Sequence, residues 1–199
     1  MVSIRDATVA DRDAVVVTLS RAFADDPAMS YIFPDPAVRA RSLPRLFDLF
    51  FATDARGWRL VTDAADAVTL WRPPGEAHDR PMAMIRHLLP LLVTFGTALP
   101  RALRVGDAIA ARFPAHSFHY LHVAGVEPAQ QGRGLGGATI RAGLARCDDT
   151  GIPAFLETAT ERNLGLYGAL GFRVTAEWSV PGGGPRFWSM ERPVGGSSA

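Results

Sequence analysis

The chain has 199 residues, of which 48% are hydrophobic and 21% charged, with a net charge of +1. That is the composition of one globular domain, and the balanced charge offers no electrostatic reason for a nucleic-acid or anionic-membrane partner. All 21 basic residues are arginine, which excludes a P-loop lysine, a Schiff-base lysine and a lysine general base.

The single cysteine, Cys147, cannot close an internal disulfide, and no metal-ligand spacing is present. It shares the apolar side of a helix with Ile140 and Leu144 and reads as a buried structural thiol. The first residues have no apolar signal core. The most hydrophobic run, 88–95, contains Pro90 and falls far short of the roughly 20 residues that span a bilayer. A cytoplasmic protein without a membrane partner is expected.

In chain order, residues 3–7 form a short strand. Thr8-Val9-Ala10-Asp11 is a capping signal for a helix to about Phe23, and Asp25-Asp26-Pro27 breaks it. Residues 25–36 read as a loop. A helix over 36–53 follows, with Val38, Leu43, Leu46, Phe47, Phe50 and Phe51 in an apolar stripe, and Gly57 ends it. Residues 58–62 and 67–71 are strands around a turn at 63–66. Residues 82–113 read as a helical pair broken near 96–100. A strand over 118–126, a helix over 134–150 and a strand over 154–159 come next. A short helix over 163–170 has Gly171 at its cap, and 172–180 and 186–192 close as a strand pair around Pro181-Gly182-Gly183-Gly184-Pro185. Residues 194–199 are small and polar and are expected to fray. This is a single α/β (α+β) domain over 1–193 with a mixed sheet and an insertion at about 76–117.

The run Gln131-Gly132-Arg133-Gly134-Leu135-Gly136-Gly137 stands between a strand and a helix. Glycine permits a tight turn and a close approach of ligand to backbone, and a helix start offers free N–H groups to a phosphate. Gly132 to Gly137 also fit G-x-G-x-x-G, with Glu157 20 positions further on. A dinucleotide fold, however, needs its first glycine directly after the strand, whereas Glu127 to Gln131 intervene, and too few residues follow for its βα units.

The stretch from Val126 to Gly136 resembles the acyl-CoA-binding motif of the GNAT N-acetyltransferase superfamily, Gln/Arg-x-x-Gly-x-Gly/Ala, met by Gln131, Gly134 and Gly136. A second motif, Asn163-x-x-x-Tyr167-x-x-x-Gly171-Phe172, matches the next helix of that superfamily. Arg5-Asp6-Ala7-Thr8, Ala22-Phe23-Ala24-Asp25-Asp26-Pro27, Pro153 to Thr158, Arg162-Asn163-Leu164 and Trp188-x-Met190 are similar to puromycin N-acetyltransferase and its relatives. The similarity is weakest between 73 and 118.

The resemblance implies a GNAT-like, mostly antiparallel central sheet flanked by helices, with a helical insertion before the cofactor-binding strand. It implies acetyl-CoA as cosubstrate, no metal, and direct attack by the primary amine of a small molecule, an antibiotic such as puromycin being one candidate. The alternative is a GNAT-fold module that binds acyl-CoA without efficient turnover. The pyrophosphate would lie on Gly132, Gly134 and Gly136 beside Gln131 and Arg133. The backbone of Ala124, Gly125 and Val126 would pair with the pantetheine arm, with Asn163 close by. By position in the motif, Tyr167 is the candidate acid for the leaving thiolate; a core tyrosine is the structural alternative. A glycine stands at 165 and at 168, where a proline and a charged residue are more usual.

For the base, two residues compete, and an amine that arrives deprotonated from solvent would need neither. His122 titrates in the right range, with a structural histidine as its alternative, and Glu157 is the second candidate, with a salt-bridge partner as its alternative. Strand alternation puts Tyr120, His122 and Ala124 on one face and His119 on the other. Tyr31 and Phe33, with Tyr120, are candidates for stacking on the acceptor, and Asp25, Asp26 and Asp35 for attracting a cationic amine. Monomer and homodimer both fit the superfamily.

Overall fold

The computed structural model describes residues 2–77 and 88–196. Seven strands build one sheet: β1 (Ile4–Asp6), β2 (Arg59–Thr62), β3 (Ala67–Arg72), β4 (His119–Val126), β5 (Ala154–Thr158), β6 (Arg173–Ser179) and β7 (Arg186–Arg192). Their order is β1-β2-β3-β4-β5-β7-β6, and every neighbouring pair is antiparallel except β4 and β5. The mixed, mostly antiparallel sheet expected from the sequence is therefore present.

Helices α1 (Arg12–Ala22), α2 (Pro27–Ile32), α3 (Pro36–Thr53), α4 (Leu88–Phe95) and α5 (Leu99–Ala110) precede β4; α6 (Leu135–Thr150) and α7 (Leu164–Ala169) follow it. Two apolar layers result. One packs Val15, Leu19, Leu43, Phe47 and Val105 against Val61, Val68, Leu70 and Val123. The other packs Ile140, Leu144 and Cys147 of α6 against Leu60, Trp71, Leu121 and Leu156. Cys147 is fully buried, and burial pushes its thiol up to about 12, as a structural cysteine requires.

Helix starts follow local chemistry. Thr8 and Asp11 form a reciprocal capping box, with Thr8 N–H donating to Asp11 at 2.7 Å. Asp35 caps α3 by accepting from Ala37 and Val38 N–H. The loop expected over 25–36 is instead interrupted by α2. The residues that break α1 also start α2: Asp26 accepts from Ala28 and Met29 N–H, and Pro27 takes the first helical position. The helical pair of the insertion is present as α4 and α5, separated by a 3-10 turn at Gly96–Ala98; its residues 82–87 lie outside the described residues. Of the tail, Gly195 N–H donates to Asp148, and 197–199 lie outside the described residues. Among the described residues no helix is long and apolar enough to cross a membrane.

Two irregularities shape the middle of the sheet. Leu70 pairs with Val123 and Trp71 with Leu121, so His122 is the extra residue of a bulge. The parallel pairing of β4 with β5 is limited to His119↔Ala154 and Tyr120↔Phe155. Beyond those pairs the strands part. The alternation expected along β4 is also corrected by the bulge: Leu121 and Ala124 pack in the α6 layer, and Val123 in the α1 layer.

Gly57 lets the turn after α3 lie directly on β3, since a Cβ there would stand 1.7 Å from the Trp71 carbonyl oxygen. Gly57→Ala is expected to lose at least about 1–3 kcal/mol in chemical denaturation. Gly168→Ala, where a Cβ meets nothing within 4 Å, is expected to gain up to about 1 kcal/mol. Equal stabilities for the two variants would contradict this packing.

Candidate active site

Where β4 and β5 part, two cavities open. The larger, about 860 Å³, runs from the exit of β4 over the glycine run to α7. Gly132 and Gly134 have φ of +77° and +79°, a region that favours glycine, and an added Cβ at either meets nothing within 4 Å. Gly134 is the N-cap of α6, whose first helical bond is Ala138 N–H to Gly134 O. The N–H groups of Leu135, Gly136 and Gly137 therefore have no partner inside the helix. Gln131 Nε2 donates to Val126 O at 3.2 Å and ties this loop to the strand exit. The groove is thus a cradle of open backbone donors at the positive end of a 16-residue helix, suited to a pyrophosphate. Along its wall, β4 beyond Tyr120 lacks a β5 neighbour and presents the edge of Ala124–Val126.

The second cavity, about 430 Å³, lies on the insertion side of β4. Phe47, Phe50, Phe95, Leu103, Ile109 and Phe113 make most of its wall. The sheet supplies Arg72, Tyr120, His122, Glu157 and Thr158, and Asp26, Asp107, Asn163 and Tyr167 also line it. Asp54, in the 3-10 turn Asp54–Arg56 after α3, is fully buried behind them. It accepts from Arg72 Nε at 2.7 Å and from His122 Nδ1 at 2.6 Å. Burial alone would raise the Asp54 carboxyl, but the charges and hydrogen bonds of His122 and Arg72 outweigh it and hold the carboxyl below its usual range. With Nδ1 committed to a carboxylate, Nε2 carries the lone pair of the neutral ring. Phe50 packs against that ring with centroids 4.5 Å apart.

Glu157 is treated oppositely. Both carboxyl oxygens are buried, and the Tyr120 hydroxyl is the hydrogen-bonding group beside them. Burial pushes its pKa up to about 8, and the nearby Tyr120 hydroxyl offsets this only in part. In return, burial and the Glu157 charge push the Tyr120 phenol well above its ordinary range.

The two cavities share Phe23, Asp26, Ala124, Ala159, Asn163 and Tyr167. A donor in one and an acceptor in the other would meet there. Tyr167 is buried, with its phenol pushed up to about 12 by burial and by the Asp26 charge, so it is protonated at neutral pH. Asp26 is raised by its own burial, against the N–H groups of Met29 and Ala28 that it caps.

No family model matches the chain. Among solved structures, it is similar over 98% of its length, and 97% of the other chain, to a Corynebacterium glutamicum protein described as histone acetyltransferase HPA2 and related acetyltransferase, with 26% identity and a TM-score of 0.73. Arylalkylamine N-acetyltransferase 2 of Aedes aegypti matches 97% of this chain and 99% of its own at 14% identity, TM-score 0.61. A polyamine N-acetyltransferase of Drosophila melanogaster matches 97% of this chain and 100% of its own at 16%, TM-score 0.59. These proteins are GNAT-fold N-acetyltransferases, and this chain shares their fold over nearly its whole length.

Against the GNAT pattern, the structure brings Ala124, Gly125, Val126, Gln131, Gly132, Gly134, Gly136, Asn163 and Tyr167 to one groove, and His122, Glu157 and Tyr120 to the adjoining cavity. It does not bring Arg133 to the groove: its Nη1 donates to Gln130 Oε1 instead. Arg21 and Arg162 line the groove in its place. Nor do Tyr31 and Phe33 line the second cavity. Phe33 is buried and stacked on Phe95, and Tyr31 packs on the same core. Asp35 is spent as a helix cap. His119 is structural, stacked on Trp58 with Nε2 2.9 Å from Thr150 Oγ1. Sequence reading missed Asp54 and Arg72, which lie 68 and 50 positions from His122.

Asp54→Ala leaves Arg72 and His122 buried beside an empty site and is expected to cost about 3–5 kcal/mol. Because the folded-state pKa of Asp54 is depressed, its contribution is full above about pH 4 and is lost as pH falls below that. The stability gap between wild type and variant, read by urea denaturation, is therefore expected to hold from pH 5 to 7 and to shrink in acid. A gap under about 1 kcal/mol at pH 7 would contradict the network.

Proposed function

We propose that this acyl-CoA-dependent N-acetyltransferase moves an acetyl group from acetyl-CoA to the primary amine of a small molecule, by direct attack, in the cytoplasm. The observation that carries the reading is the junction of two cavities at Tyr167, Asn163 and Ala124, where the central strands part. The cradle fits the cosubstrate: the N–H groups at Gly132 to Gly137 hold the pyrophosphate, with Arg21 and Arg162 at the rim. The Ala124–Val126 edge, with Asn163 opposite, holds the arm. When bound, acetyl-CoA supplies an activated acyl group on a thiol leaving group.

Glu157, as carboxylate, takes the proton of the incoming ammonium, directly or through water. Ala159 at the junction stands two positions after Glu157, just past the end of β5. His122, its Nδ1 held by Asp54, presents Nε2 as a second proton acceptor in the same cavity. A backbone N–H of the β4 edge polarises the acyl carbonyl, and Tyr167 Oη gives its proton to the departing sulfur. A binding module without turnover is the second reading; Gly165 and Gly168 in α7, with open space around them, favour a weakly held Tyr167.

Thiol release across an amine panel that includes puromycin tests both. Tyr167→Phe is expected to lower kcat by about 10²–10⁴-fold with the fold intact. Unchanged turnover would remove Tyr167 from the chemistry, and no release with any amine would favour the binding module. Since Glu157 must be ionised to accept a proton, kcat/KM for the amine is expected to rise through about pH 8. Glu157→Gln should lower the plateau and flatten this limb; a limb unchanged in the variant would assign it to another group.

A further inference from the structure

The acceptor cavity is unevenly furnished. Among the described lining residues, Glu157 is the buried carboxylate that neither an ion pair nor a helix cap satisfies; the Tyr120 hydroxyl stands beside it, Asp26 caps α2 and Asp107 is exposed. A carboxylate in that state is costly unless a donor with countercharge reaches it, and an ammonium supplies both. Arg72, the arginine among the described lining residues, is committed: Nε to Asp54 and Nη1 to Ala77 O. His122 shares the same Asp54 carboxylate. Away from this polar end the wall is rings and aliphatic chains, supplied by α3, by the inserted helices and by Phe113.

We infer that the acceptor is a primary monoamine carried on an uncharged, ring-bearing apolar body, and that amines bearing a free carboxylate are rejected. This rests on the acetyltransferase reading of the same site. The ammonium seats on Glu157 and the body fills the space between Phe47, Phe50, Phe95, Leu103, Ile109 and Phe113. A carboxylate next to the reacting amine stands beside Glu157, a like charge, while Arg72 is already paired with Asp54. It would be desolvated without a partner. A second ammonium further along the body finds, among the described lining residues, only Asp26, already capping α2, and the exposed Asp107. Proton bookkeeping closes on the same residues. The ammonium N–H bond breaks to Glu157, the new C–N bond forms as C–S breaks, the sulfur takes the Tyr167 proton, and Tyr167 recovers one from the nitrogen through the site. One proton is released to water.

Thiol release is measured for phenylalanine amide against phenylalanine, which share one body and differ in the carboxylate, and for phenethylamine against spermidine. The expected kcat/KM ratio is about a hundredfold or more in favour of the amide, and about tenfold or more in favour of phenethylamine. Gly106→Phe narrows the cavity beside α5, where an added Cβ meets nothing within 4 Å, and is expected to lower kcat/KM for phenethylamine relative to methylamine by about tenfold. Glu157→Gln should raise KM for phenethylamine while leaving KM for acetyl-CoA unchanged. Free phenylalanine or spermidine used as well as its counterpart would overturn the inference and leave acetyl transfer standing. If acetyl-CoA binds and no amine on the panel releases thiol, the transferase reading fails and this inference falls with it.

Discussion

The structure turns on a pairing that stops. β4 and β5 run parallel and bond only at His119↔Ala154 and Tyr120↔Phe155. Past that point each strand has an edge facing the other across open space. An edge of N–H and C=O groups is under pressure to find a partner, and here the space between is kept open from both sides. α6 starts at the tip of β4 through the Gly132–Gly134 turn and crosses to β5 on one face. The His122 bulge breaks the regular pleat of β4 on the other. The two cavities and their junction all follow from this divergence.

Two buried carboxylates on either side of β4 give the site its electrostatics. Asp54 is surrounded by an arginine and a histidine and is held as an anion; Glu157 is surrounded by rings and apolar chains and is held near neutrality. Such separation of like groups by environment is a means of assigning acid and base roles. Asp54 is structural in effect, fixing the tautomer and position of His122 through a turn that Gly57 allows to sit on β3. Glu157 is met by the Tyr120 hydroxyl and by no cation that an ion pair records.

Most of the fold was legible because its signals are local. Caps, apolar stripes and glycine stops set α1, α3, α6 and β4 to β7 to within a residue or two, and the spacing of Gln131, Gly134, Gly136, Asn163 and Tyr167 carried the donor side. Three things were not legible. Asp26-Pro27 ends one helix and begins another, and a breaker and a cap are the same letters. The bulge at His122 depends on a register set by β3, so the alternation along β4 could not be read from β4 alone. Asp54 and Arg72 reach His122 through tertiary contacts that no spacing encodes. Tyr31 and Phe33 illustrate the converse: aromatic residues beside a substrate-side loop went into the core, where their area is better buried.

The central claim is that the parted strands and the glycine turn form one acyl-CoA site. Amide hydrogen exchange of the whole chain with and without acetyl-CoA tests it most directly. The account predicts added protection in two segments, Ala124–Val126 and residues 132–137, with little change at β1 and β6. Binding that protects other segments, or no protection at either one under saturating acetyl-CoA, would contradict it.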